Sequence, residues 1–171
     1  PPGRLCPLLA TAFTALALTF SSHAQELDSS TLNLAEHTPG YRLMALASRS
    51  YEAGQYWSAF TKYREAARWA DKFAQFNLGV MHLKGQGTEY DPARALAWFQ
   101  LSAERGYPMM VAMVDDLTAL LDEETIDRAT RIRISELEPV FGDAYAVERT
   151  HRRMRRERRY AAGTRVGYIG L

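Results

Sequence analysis

From Pro39 to about Arg159, apolar positions recur every three to four residues, the spacing of helices with one buried face. Runs of β-branched residues and strict apolar–polar alternation are missing over the same stretch, so the pattern predicts an all-α chain. Gly54 separates a helix near 41–53 from one near 56–69, and Asp71 opens a third near 72–84 that Gly85-Gln86-Gly87 ends. Asp91-Pro92 opens a fourth, running to Arg105 before Gly106, and Pro108 starts a fifth that reaches about Leu121. Asp122-Glu123-Glu124 opens a sixth to about Glu138, where Pro139 and Gly142 break the pattern; a last helix runs from Asp143 into an arginine cluster. The punctuation has physical causes. An aspartate ahead of a helix accepts the free amides of its first turn. Proline has no amide to leave unpaired there, and glycine accepts the left-handed conformation at a helix end. Connections this short force consecutive helices into antiparallel pairs.

Sliding the chain against itself by 36 residues puts Ala59 on Ala95, Tyr63 on Phe99, Ala66 on Ser102 and Ala67 on Ala103. These positions share one helix face, and each set reads small, aromatic, small, small. Small residues let a second helix approach closely, and the ring fills the gap between them. The same shift puts Ala70 on Gly106 and Lys72 on Pro108, where one helix ends and the next begins. A two-helix unit therefore repeats, and such units bury their apolar faces by stacking.

The stretch "AFTKYREAARWADKFAQFNLGVMHLKGQGTEYDPARALAWFQLSAERGYP" resembles the Sel-one-like repeat (SLR) family, a relative of the tetratricopeptide repeat. The family's landmarks fall here on Ala74, Leu78-Gly79, Met81-His82, Gly85 and Gly87, Asp91, Ala95, Trp98-Phe99 and Ala103 to Gly106. Residues 41–66, with Tyr51, Gly54, Tyr56 and Ala59, look more like a plain tetratricopeptide unit. Residues 108–121 match a third unit only loosely, with Asp115 where the family has glycine and no second Gly-x-Gly loop, so the array is expected to end in a capping helix. The resemblance implies a short right-handed α/α superhelix built as a scaffold. It also implies a concave binding face lined by the first helix of each unit, which here means Met44, Tyr51, Phe76, Val80, Leu83 and Lys84.

The first 24 residues change the picture of location. Arg4 precedes an apolar run of 13 residues, LLATAFTALALTF, and Ser22-His23-Ala24 offers the small residues a signal peptidase reads. Segment 1–24 is thus expected to be a signal peptide, followed by a polar linker over 25–38, which places the protein in the periplasm or outside the cell. No membrane span is expected after cleavage, and Cys6 leaves with the signal peptide, so no disulfide is expected either. With Pro1 at the start and "GYIGL" at the end, the chain is expected to be a fragment at one or both ends.

Catalytic chemistry finds little to use. His23, His37, His82 and His151 are isolated, no pair has zinc-site spacing, and nucleophile and phosphate-loop motifs are missing. His82 reads as helix packing. No enzyme, no metal and no cofactor are expected.

Charge adds one feature. Residues 25–148 hold 12 Lys and Arg against 19 Asp and Glu, a net −7, whereas residues 149–171 hold 8 against 1, a net +7. Arg149, Arg152, Arg153, Arg155, Arg156, Arg158 and Arg159 form the cluster. Either it is a solvated helix folded back on the acidic body, or it grips an anionic partner such as lipid head groups, an envelope polymer or an acidic protein. Nucleic acid is not expected in an exported protein. The domain reading is 39–121 for the repeats, 122–148 for C-terminal helices and 149–171 for a basic tail. Three functions follow in order: a scaffold for an unknown polypeptide, a binder of anionic surfaces through the tail, and an enzyme whose active site lies beyond residue 171.

Overall fold

The computed structural model describes residues 39–163, and the predicted signal peptide and linker lie outside them. Helix α1 spans Pro39–Glu52, α2 Tyr56–Ala67, α3 Lys72–Lys84 and α4 Pro92–Ser102, followed by a 3-10 turn at Ala103–Arg105. Helix α5 spans Pro108–Leu120 and α6 Glu123–Ile132, which continues through a π-helical stretch, Arg133–Leu137, into the short α7, Glu138–Phe141. Helix α8 runs Asp143–Gly163. Among the described residues there is no strand.

Three helix starts and two helix ends have the expected cause. The side chains of Asp71, Asp91 and Asp122 accept from the amides of Ala74, Arg94 and Thr125 at 2.9, 3.0 and 2.8 Å. Gly85 closes α3 and Gly106 closes the turn after α4, both in the left-handed region at φ +63° and +70°. From α2 to α4, and again from α3 to α5, the first residues lie 36 positions apart, Tyr56 to Pro92 and Lys72 to Pro108. The predicted offset is therefore the structural repeat.

Two hairpins form the body. Helices α1 and α2 pack through Ala47, Ala59, Tyr63 and Ala66, all buried, and the hydroxyls of Ser48 and Tyr63 lie 3.1 Å apart. Helices α3 and α4 pack through Leu78, Gly79, Ala95 and Phe99. A Cβ added to Gly79 would sit 2.7 Å from the Phe99 ring, so glycine is what lets that ring reach the α3 backbone. Gly87 is constrained twice, by φ +72° and by the Tyr56 carbonyl, which occupies the space a Cβ would need.

Three expectations need correction. Phe76, placed on an open concave face, is only 3 % exposed, and its ring stacks at a tilt on Phe99 with centroids 4.9 Å apart; it is core. Pro139 does not end the sixth helix. The π-helical stretch widens the turn ahead of it, with the Glu138 amide bonding to the Arg133 carbonyl, so the chain continues helical to Phe141. The boundary drawn at 148/149 falls inside α8.

Candidate interaction site

The expected binding residues do not form one open face. Tyr51 on α1 donates to Gln86 Oε1 at 2.6 Å, which ties α1 to the loop after α3, where Leu83 and Lys84 end the helix. Tyr51 also meets Tyr56 edge-on, with ring centroids 5.2 Å apart. Met44 lies one turn from Ser48, whose hydroxyl points at its sulfur at 3.6 Å. Met44, Tyr51, Val80 and Leu83 are half-buried and Lys84 is exposed. The usable part of the predicted set therefore gathers at the end of α3, around Tyr51, Leu83 and Lys84.

Two aromatic residues that sequence reasoning missed adjoin that region. Trp57 is 75 % exposed and Tyr90 51 % exposed. Gly87 lies against the Tyr56 carbonyl and the Trp57 amide, and Gly85 against the backbone and Cβ of Tyr90, so both residues start from beside the 85–87 loop. The signal was available for Trp57. The 36-residue offset puts it on Ala93, which is fully buried, so an indole at that position does not serve the same packing role.

His82 lies inside the fold. Its ring meets Phe60 edge-on at 5.4 Å and its Nδ1 is buried with no hydrogen-bond partner. Burial first, and the nearby Arg94 charge second, lower its pKa to about 4, so the imidazole is neutral at pH 7. Among the described residues no group of three or more His, Cys, Asp or Glu is placed to hold a metal ion.

The arginine cluster begins against the fold. The backbone of Phe141 accepts from Gln75 Nε2 at 2.9 Å, and its ring meets Trp98 at 4.8 Å, which fixes the start of the arm. Lys72, 3 % exposed, donates to the Leu101 carbonyl at 3.0 Å and to Glu104 Oε2 at 2.8 Å, and its ammonium lies 2.9 Å from Asp143 Oδ1. Arg105 holds the same Asp143 from the other side at 3.0 Å. Further along, Arg149 donates to the Val140 carbonyl, and the Arg153 guanidinium lies over the Trp69 ring at 5.4 Å. Burial, then repulsion from Arg68 and Arg152, lowers the pKa of Arg149. The first half of α8 thus folds back on the repeats. Arg152 bonds to Glu148 at 2.7 Å on the outer side, where Arg155 and Arg156 are also exposed. The side chains of Arg158 and Arg159 lie outside those described. The binding that a seven-arginine patch would give therefore falls to fewer residues here, because Arg149 and Arg153 face inward contacts.

A groove of about 330 Å³ opens between α5 and α6 over the end of α4, lined by Gln100, Ala103, Glu104, Val111, Val114, Thr130 and Arg133. Helices α5 and α6 each pack on α4 and scarcely touch one another. Among the described residues, no helix is long and apolar enough to cross a membrane.

No curated protein and no solved structure matches the chain. The family model of the Sel1 repeat matches residues 72–107, the span of α3, the glycine loop, α4 and the turn that follows. Sel1 repeats generally mediate protein–protein interaction and are typically non-catalytic. With the helix pairs, the glycine hinges and the Phe99–Gly79 contact in place, the chain carries a Sel1 repeat in a tetratricopeptide-like all-α fold.

Proposed function

We propose that the chain is an exported, periplasmic scaffold that captures a partner polypeptide and performs no catalysis. The repeat supplies the class of function. The exposure of Trp57 carries the reading from class to place. A large ring held in water on a rigid helix costs solvation that a folded chain normally avoids, and Trp and Tyr are the residues that most often anchor protein interfaces. Trp57 and Tyr90 beside Tyr51, Leu83 and Lys84 give a partner two rings, an apolar patch and a cation within one loop's reach. Export rests on the 13-residue apolar run behind Arg4 and the Ser-His-Ala site.

Affinity capture from envelope extract tests the binding. Trp57→Ala together with Tyr90→Ala should reduce the retained partner at least about tenfold, with helix content unchanged. Equal capture by this variant contradicts the site. Mass spectrometry of the expressed protein should find a mature N-terminus at Gln25, and an intact leader on the soluble protein contradicts export.

A second reading is supported by Arg152, Arg155 and Arg156 on the outer side of α8. They suit an anionic surface of lipid head groups or envelope polymer, held by charge rather than insertion. Vesicles containing acidic lipid should then bind the chain at low salt and release it when residues 149–171 are removed.

A further inference from the structure

The groove between α5 and α6 is an unfinished third hairpin. The 36-residue offset that aligns the first two units puts Val114 on Leu78, Asp115 on Gly79 and Thr118 on His82. Leu78, Gly79 and His82 are buried, whereas Asp115 is exposed and Val114 and Thr118 are half-buried. On the other strand of the comparison, Ala129 and Ile132 fall on Ala93 and Leu96 and are buried like them, so α6 does seat on α4. Ser135, however, falls on Phe99, and its short hydroxyl turns back to the Arg131 carbonyl at 2.7 Å. Both halves of the interlock are therefore lost: the glycine that admits a ring is an aspartate, and the ring is a serine. That loss leaves Val111 and Val114 along one wall, with Gln100 Oε1 buried and unpaired at the floor, and Asp115, next to Val114 in sequence, exposed.

We infer that this groove takes α8 of a second copy of the chain, in a head-to-tail contact. The inference uses a different face from the aromatic site and does not rest on it. Charge chooses the occupant. Asp115 and Asp116 on α5, and Glu123 and Glu124 at the start of α6, are exposed and make no salt bridge among the described residues. On α8, Tyr145, Arg152 and Arg156 stand at i, i+7 and i+11, one helix face, all exposed, with Arg155 beside them. That face offers a ring for the groove that lacks one and arginines for the unpaired carboxylates. In its own copy α8 is held by a neighbouring face, where Ala146 is buried and Arg153 lies over Trp69, and the Tyr145–Arg152–Arg156 face is left exposed. A contact between unlike surfaces adds copies head to tail, into a ring or an open chain according to its rotation, so assembly grows with concentration.

Light scattering on the purified chain, over a wide concentration range, tests this. At low salt the apparent mass should rise with concentration, and about 0.5 M salt should reverse the rise, since exposed charges are then screened within a few ångströms. Asp115→Lys with Asp116→Lys should be monomeric, and so should Arg155→Glu with Arg156→Glu, each melting as the parent does. Mixed together, the two variants should associate again, because each retains the surface that the other has lost. A parent chain that is monomeric throughout overturns the inference. So does association that either variant leaves unchanged, and so does a mixture that stays monomeric.

Discussion

Gly106 and Ala70 hold the same left-handed position in consecutive units, at φ +70° and +57°. An added Cβ at Gly106 meets nothing within 4 Å, so only backbone strain opposes it. Gly106→Ala should therefore cost about 1 kcal/mol, read as a lower urea midpoint with an unchanged slope. Ala70→Gly trades that same strain against a buried methyl and should be close to neutral. His82 gives the residue scale a pH signature. Its folded pKa, about 4, lies below the unfolded value near 6.5, so the unfolded chain takes up the proton first. The stability held in the neutral imidazole is complete above pH 6.5 and drains as pH falls towards 4, by at most about 3 kcal/mol. Urea titrations at pH 7 and pH 4.5 should show a larger loss for the parent than for His82→Gln; equal losses would assign the pH dependence elsewhere. Single residues with local roles were legible from sequence. Asp71, Asp91 and Asp122 cap what they were read to cap, because a cap needs only its next three residues. Phe76 was misplaced, because its burial depends on Phe99, a contact 23 positions away that helix period alone does not orient.

Among the elements, α8 depends most on one side chain. The buried Lys72 ammonium links α3 to the α4 carbonyl end, to Glu104 and to the first residue of α8, Asp143. Its carboxylate partners keep 29 % and 38 % of their side-chain surface in water, so removing the lysine strands neither in a dry site. Lys72→Ala should cost about 2 kcal/mol, below the usual penalty for a fully buried pair. Trypsin should then cut among Arg152, Arg155 and Arg156 well before the body unfolds; an unaltered cleavage rate would show that α8 is held by other contacts. Sequence read Lys72 only as the start of a helix, since nothing in its neighbours announces Leu101, Glu104 or Asp143 as partners. Pro139 was legible as a break and proved to be a widened turn, because the Arg133–Leu137 stretch absorbs the missing amide within a continuous helix.

For the molecule as a whole, the 36-residue offset was the most legible feature, because two good copies stand side by side and share both packing face and punctuation. The third hairpin was harder. Asp115 was visible as a departure, but the matching loss at Ser135 only has meaning once α6 is seen seated on α4 and parted from α5. The scaffold reading rests on the way paired helices interlock, a ring of one lying on a glycine of the other, which keeps the surface side chains free for binding. A double-mutant cycle on Gly79 and Phe99 measures that interlock. Gly79→Ala alone should cost about 2 kcal/mol, since the new methyl meets a ring pinned in the core. In a Phe99→Leu background the same change should cost less by about 1 kcal/mol or more. Strictly additive losses would mean that the ring does not lie on the glycine and that the hairpins are not joined in this way.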